Sequence, residues 1–297
     1  MRADIDRQSL RAISRQLTDG SLSAVSLSEA TQARHEPALN AYKCWAPEFA
    51  RRQAKAADAA FSAGIRTEPL QGIQTSLKDL YGVAGLPVFA GSPRELPAAW
   101  RREGPVVQRL RRQLAVITGK IHTVEFAFGG LGTGGHWPVP WNPRDRKVHR
   151  APGGSSSGAG VSLAEGTALL AFGTDTGGSV RIPASFTGAV GLKTTWGRWS
   201  TEGIVPLSPS LDTAGILTRS ADDAAFAFEA LDGESVPQLI SLAGLRIGIA
   251  EGFFFDAASP GIAERIGDAS RALEAAGATL EAVSLPGCAE LFALYHQ

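Results

Sequence analysis

A short apolar run that leads directly into a glycine-rich turn constrains the fold of this chain most strongly. The run, Thr167–Gly173, is bounded by glycine and has the length of a buried central strand, and the turn continues through Gly177 and Gly178 to Ser179. Two glycines ahead of a serine let successive backbone N–H groups converge without obstruction from Cβ atoms, which is the geometry of an oxyanion hole beside a nucleophile. An ordinary tight turn is the alternative interpretation of these residues.

Helical and strand patterns alternate along the rest of the chain. Residues from about Ser9 to Ala63 are rich in alanine and have apolar positions at helical spacing, which predicts a helical N-terminal part over about 1–65. Ala115–Gly119 is typical of a buried strand that ends in a turn. Near the end, a strand at Leu245–Ile249, a helix at Ser259–Ala276 and a strand at Ala278–Val283 form a βαβ-like unit. This alternation predicts an α/β fold, and no fixed-period repeat marks a second domain.

Composition excludes several classes of protein. The 29 Lys and Arg residues are balanced by 29 Asp and Glu residues, which argues against nucleic acid or an anionic membrane as a partner. Cys44 and Cys288 lack the spacing of a disulfide framework or a zinc site, which predicts a reducing compartment. No segment approaches the about 18 apolar residues of a membrane span. We therefore expect a cytoplasmic protein without a metal site.

A second glycine-rich segment, Gly130–Gly135, matches the dinucleotide-binding pattern G-x-G-x-x-G. That pattern works only where a helix begins and points its amides at a pyrophosphate. His136–Pro140 follows instead and cannot open a regular helix, and no acidic residue stands about twenty positions further on. An ordinary loop is therefore favoured over a nucleotide site.

A third segment, Gly154–Gly158, matches the nucleophile elbow G-x-S-x-G with Ser156 at its centre. An elbow needs a buried strand immediately before it, and Arg144–Arg150 is too charged to be one. A flexible Gly/Ser linker is also disfavoured, because apolar sequence lies on both sides.

Six segments together closely resemble the amidase signature family. They are Pro69–Asp79, Asn142–Pro143, Pro152–Gly158, Gly173–Ala184, Gly188–Thr195 and Pro209–Asp212. The resemblance extends from about Leu17 to Leu231. It implies an α/β fold of the amidase-signature type, whose mixed β-sheet core is covered by helices on both faces.

The resemblance implies a Ser–cisSer–Lys triad. In it Lys78 is the base, Ser155 is the bridging serine after a cis peptide bond, and Ser179 is the acylated nucleophile. The separation of the two serines suits the family and selects Ser155 over Ser156 and Ser157. The implied oxyanion hole is lined by the backbone amides of Thr176, Gly177, Gly178 and Ser179, and the turn at Ala127–Gly130 borders the acyl pocket. No metal or organic cofactor is implied.

The proposed base also makes physical sense. A lysine acts as a base near neutral pH only if its pKa falls from about 10.4 toward roughly 7–8, and burial among apolar groups such as Leu77 and Leu80 would achieve this. An exposed lysine paired with Asp79 is the alternative, which the two serine loops disfavour. The proton would then move from Ser179 to Lys78 by way of Ser155.

These residues predict hydrolysis of a small-molecule carboxylic amide through acyl-Ser179, with release of ammonia or an amine. One alternative is the glutaminase component of a tRNA-dependent amidotransferase, which needs partner subunits. Trp196–Gly203 differs from the sequence expected of that component. Another alternative is an inactive, shortened homologue with a binding role. The triad does not fix the substrate.

The sequence departs from the family pattern in two ways. Gln74 and Thr194 stand where the family commonly has proline, which we interpret as backbone variation. Family members also usually continue beyond this length, so we expect a single domain, 1–297, that lacks the usual C-terminal part. Leu291, Phe292 and Leu294 would then be uncovered. We expect either self-association into a homo-oligomer through that region or weak, poorly specific amidase activity because the pocket wall is open.

Overall fold

A computed structural model describes residues 5, 8–67, 69–237 and 241–295. Contacts divide the chain into two units, Met1–Val236 and Pro237–Gln297. The expectation of a single domain over 1–297 stays a prediction.

Helices of the first unit form where apolar side chains recur at helical spacing and end at recognisable caps. The hydroxyl of Ser9 accepts a hydrogen bond from the amide of Ala12 at 3.2 Å, and Gly20 ends the first helix in the left-handed conformation at φ 81°. The helices of this unit are α1 Leu10–Asp19, α2 Ala24–Gln32, α3 Pro47–Ser62, α4 Pro105–Arg112, α5 Ala159–Glu165, α6 Arg181–Thr187 and α7 Ala221–Asp232.

Six strands form one mixed sheet in this unit. They are β1 Tyr42–Trp45, β2 Gln74–Lys78, β3 Val116–Ile121, β4 Leu170–Asp175, β5 Val190–Lys193 and β6 Thr213–Thr218, in the order β1-β3-β2-β4-β6-β5. The pairs β2–β3 and β2–β4 are parallel, and the other pairs are antiparallel. Every residue of β2, β3, β4 and β6 is buried. Because buried strands are rich in apolar residues, β3 and β4 can be recognised in the sequence as apolar runs.

In the described residues up to position 65, α1, α2 and α3 are helical as expected, and β1 is a strand that the sequence does not predict. This strand pairs antiparallel with β3, with Tyr42 opposite Ile121. A four-residue strand gives too short a pattern to be recognised beside alanine-rich helices, and its conformation is set by the partner strand.

Apolar side chains cover both faces of the sheet. On one face a large cluster joins the strands to α1, α2, α3, α4 and α7, through residues such as Leu17, Leu77 and Phe172. A smaller cluster joins Ile121 and Leu217 to α5 and α6 on the other face. The predicted α/β class, a mixed sheet with helices on both faces, is confirmed.

The second unit contains β7 Arg246–Ala250, α8 Pro260–Ala275, β8 Thr279–Val283 and α9 Cys288–Tyr295. Strands β7 and β8 pair in parallel, so the predicted βαβ-like unit is confirmed. Leu291 and Leu294 are exposed, while the side chain of Phe292 lies outside the described residues. Self-association through this region stays a prediction. Among the residues described in either unit, no helix is both long enough and apolar enough to cross a membrane.

Candidate active site

Lys78 is the last residue of β2, and its side chain is completely buried. Its amine nitrogen lies 2.7 Å from Ser155 Oγ and 2.7 Å from Thr174 Oγ1. The strand therefore holds a lysine between two hydroxyl groups, one of which belongs to the predicted bridging serine.

Burial dominates the protonation of this lysine. Removal from water lowers the pKa of Lys78 to about 7, although the negative charges of Asp175 and Asp212 oppose the shift. A substantial fraction of Lys78 is therefore neutral at neutral pH, as a base requires.

The alternative interpretation of Lys78, an exposed side chain paired with Asp79, is wrong. Successive side chains along a strand point to opposite faces. Asp79, the residue after Lys78, pairs instead with Lys120, whose Nζ lies 3.0 Å from Asp79 Oδ1. The second oxygen of Asp79 accepts a hydrogen bond from the amide of Phe89 at 3.1 Å. Both members of this ion pair are buried. The sequence motifs do not point to Lys120, although a lysine inside the apolar run of β3 is a signal that a buried partner exists.

The serine-rich loop that carries Ser155 is fixed by backbone hydrogen bonds. The peptide bond Gly154–Ser155 is cis, as the resemblance implies. The carbonyl of Ser155 accepts from the amide of Val124 at 3.0 Å. Residues 143–158, which include this loop and the segment before it, contain no strand. The elbow interpretation of Ser156 is therefore wrong. Ser156 is buried and its hydroxyl lies 3.4 Å from the carbonyl oxygen of Thr174.

The segment with the dinucleotide pattern packs against this loop. Gly130 and Leu131 accept hydrogen bonds, at 2.7 Å and 3.1 Å, from the amides of Gly154 and Gly153. Gly132 is buried at φ 80°, and a Cβ atom there would lie 2.3 Å from the carbonyl oxygen of Gly153. The segment is a loop without a helix, as expected, and it supports the serine loop.

Gly132→Ala is expected to lower the free energy of unfolding by about 2 kcal/mol or more, because the left-handed backbone and the contact with Gly153 both disfavour a side chain. Gly134→Ala is the matched control, since a Cβ at Gly134 meets no atom within 4 Å. Urea unfolding followed by tryptophan fluorescence measures both. Equal midpoints for the two variants would contradict this account of the loop.

The glycine-rich turn after β4 carries Ser179, which is 8% exposed. Asp175 organises this turn, because its carboxylate accepts from the amides of Gly178 at 2.8 Å and Val180 at 3.1 Å, and from the guanidinium of Arg181. Burial raises the pKa of Asp175, but these hydrogen bonds outweigh burial and hold it below its usual value. The carbonyl of Ser179 accepts from the amide of Ser156 at 3.2 Å, which joins the two serine loops.

The amides predicted to form an oxyanion hole are not equivalent. No described residue accepts a hydrogen bond from the amides of Thr176, Gly177 or Ser179. The amide of Gly178 donates a hydrogen bond to the Asp175 carboxylate. The φ of Gly178 is 129°, a conformation that requires glycine. A further carboxylate, Asp212, accepts from the hydroxyl of Thr176 at 2.5 Å. Of the four predicted amides, that of Gly178 therefore differs from the others in having an acceptor among the described residues.

Comparison with known proteins shows the family to which this chain belongs. The sequence profile of the amidase family matches residues 25–297. The chain is 55% identical over 269 residues to the 2-amino-5-chloromuconic acid deaminase of Comamonas testosteroni, covering 89% of this chain and 58% of that protein. It is 37% identical over 296 residues to a component of the glutamyl-tRNA(Gln) amidotransferase of Symbiobacterium thermophilum, covering 93% and 60%.

A crystal structure of an amidase superposes with a TM-score of 0.87 at 35% identity, covering 97% of this chain and 66% of that one. The chain spans about three fifths of the length of the curated relatives that it matches. The family match extends over most of the chain, and the fold agrees with a solved amidase. The chain therefore belongs to the amidase signature family.

Proposed function

We propose that this protein hydrolyses a small-molecule carboxylic amide through an acyl intermediate on Ser179. The observation that carries the proposal is the buried amine of Lys78, 2.7 Å from the hydroxyl of Ser155, with a pKa lowered to about 7. A neutral amine in contact with a serine hydroxyl is a base that can act through that serine.

The reaction proceeds in two halves that use the same groups. Lys78 takes the proton of Ser155 while Ser155 takes the proton of Ser179, whose oxygen bonds to the amide carbonyl carbon. Collapse of the tetrahedral intermediate breaks the C–N bond, and the proton returns through Ser155 to the leaving nitrogen. Water then attacks the acyl carbon by the same relay, which releases the carboxylate and restores Ser179.

The developing negative charge needs donors that are already in place. The amides of Thr176, Gly177 and Ser179 supply them, because none donates to another described residue. Gly178 contributes differently, since its amide and the Asp175 carboxylate fix the shape of the turn.

A second candidate reaction is favoured by the 55% identity to the 2-amino-5-chloromuconic acid deaminase. In that case this protein would hydrolyse the C–N bond of a small amino-substituted dicarboxylic acid, with water supplying the oxygen that replaces nitrogen on carbon and the protons that leave with ammonia. Arg181 supports an acidic substrate, because it lies two residues after Ser179 and its side chain is 54% exposed while it pairs with Asp175. The glutaminase alternative is supported by a relative that is 37% identical to this chain, which is less than the 55% identity of the deaminase.

Ammonia release from a panel of small amides and from 2-amino-5-chloromuconic acid, with and without hydroxylamine, tests these proposals. We expect turnover of at least one amide, with hydroxamate formed at the expense of carboxylate when hydroxylamine intercepts the acyl enzyme. Ammonia from the muconic acid alone would favour the second candidate. No release from any compound would refute both.

The dependence of kcat/KM on pH is expected to show an acid limb with a midpoint near the Lys78 pKa of about 7. Only neutral Lys78 accepts a proton, so activity should rise as pH increases from about 6 to about 8. Initial rates in buffers of constant ionic strength measure this. A flat profile from about pH 6 to about pH 9 would contradict Lys78 as the base.

A further inference from the structure

Lys78 makes a second contact that the relay does not use. A neutral amine has two N–H donors and one lone pair, and only the lone pair can take a proton from Ser155. An amine that turned an N–H group toward Ser155 would be unproductive. Something must therefore fix the rotation of the Lys78 amine, and its other close neighbour is Thr174 Oγ1 at 2.7 Å.

Thr174 is well placed to fix that rotation. It lies in β4, opposite Ala214 of β6, and its side chain is almost entirely buried. Its carbonyl also lies within hydrogen-bonding distance of the Ser156 hydroxyl. The strand pairing thus holds this hydroxyl at a constant position relative to both Lys78 and the serine loop.

The surroundings of Thr174 leave space for its hydroxyl proton to point away from Lys78. Thr174 also lines a cavity of about 30 Å³, whose polar wall includes Thr201 and the carboxylate residue Asp212. The rest of its wall is apolar, and a space of that volume bordered by three polar side chains accommodates a water molecule. A hydroxyl proton directed toward this cavity and its negative wall leaves the oxygen lone pairs of Thr174 facing Lys78.

We infer that Thr174 is a positioning residue, whose hydroxyl accepts an N–H from Lys78 and so directs the Lys78 lone pair at Ser155. The same oxygen accepts from the ammonium that forms after proton transfer, so the contact persists through the reaction. This inference rests on the proposed function.

Removal of the Thr174 hydroxyl should change the protonation of Lys78 as well as the rate. The negative charges of Asp175, at the end of β4, and Asp212, just before β6, raise the pKa of Lys78. Asp79, which directly follows β2, is paired with Lys120. None of these carboxylates changes when the hydroxyl of Thr174 is removed. Loss of one acceptor for the ammonium should then lower the pKa of Lys78 further and move the acid limb of the rate profile to lower pH.

Thr174→Val removes the hydroxyl and keeps the shape, while Thr174→Ser keeps the hydroxyl and is the matched control. We expect kcat of Thr174→Val to fall about tenfold to a hundredfold, with KM changed by less than about threefold. Thr174→Ser should stay within about threefold of the parent in both constants. Thermal unfolding of the two variants shows whether either has lost its fold.

A readout independent of activity separates this inference from the proposed function. The Lys78 Cε signal of ¹³C-lysine-labelled protein, assigned by its loss in Lys78→Met, should titrate at lower pH in Thr174→Val and near the parental value in Thr174→Ser. An unchanged kcat or an unmoved titration in Thr174→Val would overturn the inference. A parent protein that cleaves no amide would refute the proposed function, while the titration would still decide whether Thr174 holds Lys78.

Discussion

Ser179→Ala is expected to lower kcat for amide hydrolysis by about 10⁴-fold or more, because the oxygen that bonds to the substrate is removed. The other hydroxyl of the turn, that of Thr176, donates a hydrogen bond to Asp212 and does not replace it. The fold should survive, since the substitution removes one oxygen from a side chain that is 8% exposed. Initial rates of ammonia release measure the loss, and thermal unfolding confirms that the protein remains folded.

Ser156→Ala is the matched control for this prediction. Ser156 is also buried in the serine loop, and in the described part of the chain its hydroxyl makes one hydrogen bond, to the carbonyl oxygen of Thr174 at the long distance of 3.4 Å. We expect this variant to keep most of its activity. Activity lost in Ser156→Ala and retained in Ser179→Ala would reverse the assignment of roles.

Lys78→Met is expected to lower kcat by about 10²–10⁴-fold, because the relay loses its proton acceptor. Lys55→Met, at an exposed position of α3, is the control for loss of a lysine and should leave the rate unchanged. Rates measured for both variants at about pH 8, where Lys78 of the parent is mostly neutral, isolate the effect of the base. A Lys78→Met variant with parental activity would refute the relay.

The same variant has an expected effect on stability that depends on pH. Burial lowers the pKa of Lys78 to about 7 in the folded state, whereas the unfolded chain keeps the ordinary value. Between these two values the unfolded state binds more protons, so the parent becomes more stable as pH rises through this window. Methionine does not titrate, so the variant lacks this dependence on pH. From pH 7 to about pH 10, the free energy of unfolding of the parent should therefore rise by about 3 kcal/mol relative to that of the variant.

Urea unfolding of both proteins across this range measures the effect. A difference that stays constant with pH would mean that Lys78 titrates alike in the folded and unfolded states. The buried amine would then not be the neutral base that the proposed mechanism needs.

The contacts that join distant parts of the chain could not be predicted from the sequence. The resemblance to the amidase signature family implies Lys78, Ser155 and Ser179, and the segments that carry this resemblance are short and local. The approach of Thr174 to Lys78 depends instead on the parallel pairing of β2 and β4, in which Leu77 lies opposite Phe172. Local periodicity predicts the two strands but does not give their register.

Two further omissions have the same physical origin. Lys120 lies in β3 and reaches Asp79 because β3 is the other neighbour of β2, with Lys120 opposite Leu77. Asp212 reaches Thr176 from the segment that leads into β6. Each pair bridges elements far apart in sequence, so its members are recognisable as partners only once the order of the strands is known.

Peptide mass analysis of protein quenched with acid during turnover of a reactive amide tests the central claim most directly. We expect the mass of the acyl group on the peptide that contains Ser179. This added mass should disappear on addition of hydroxylamine and should be absent from Ser179→Ala. An acyl group on Ser155 or Ser156 instead, or efficient turnover with unmodified Ser179 under conditions where deacylation limits the rate, would contradict it.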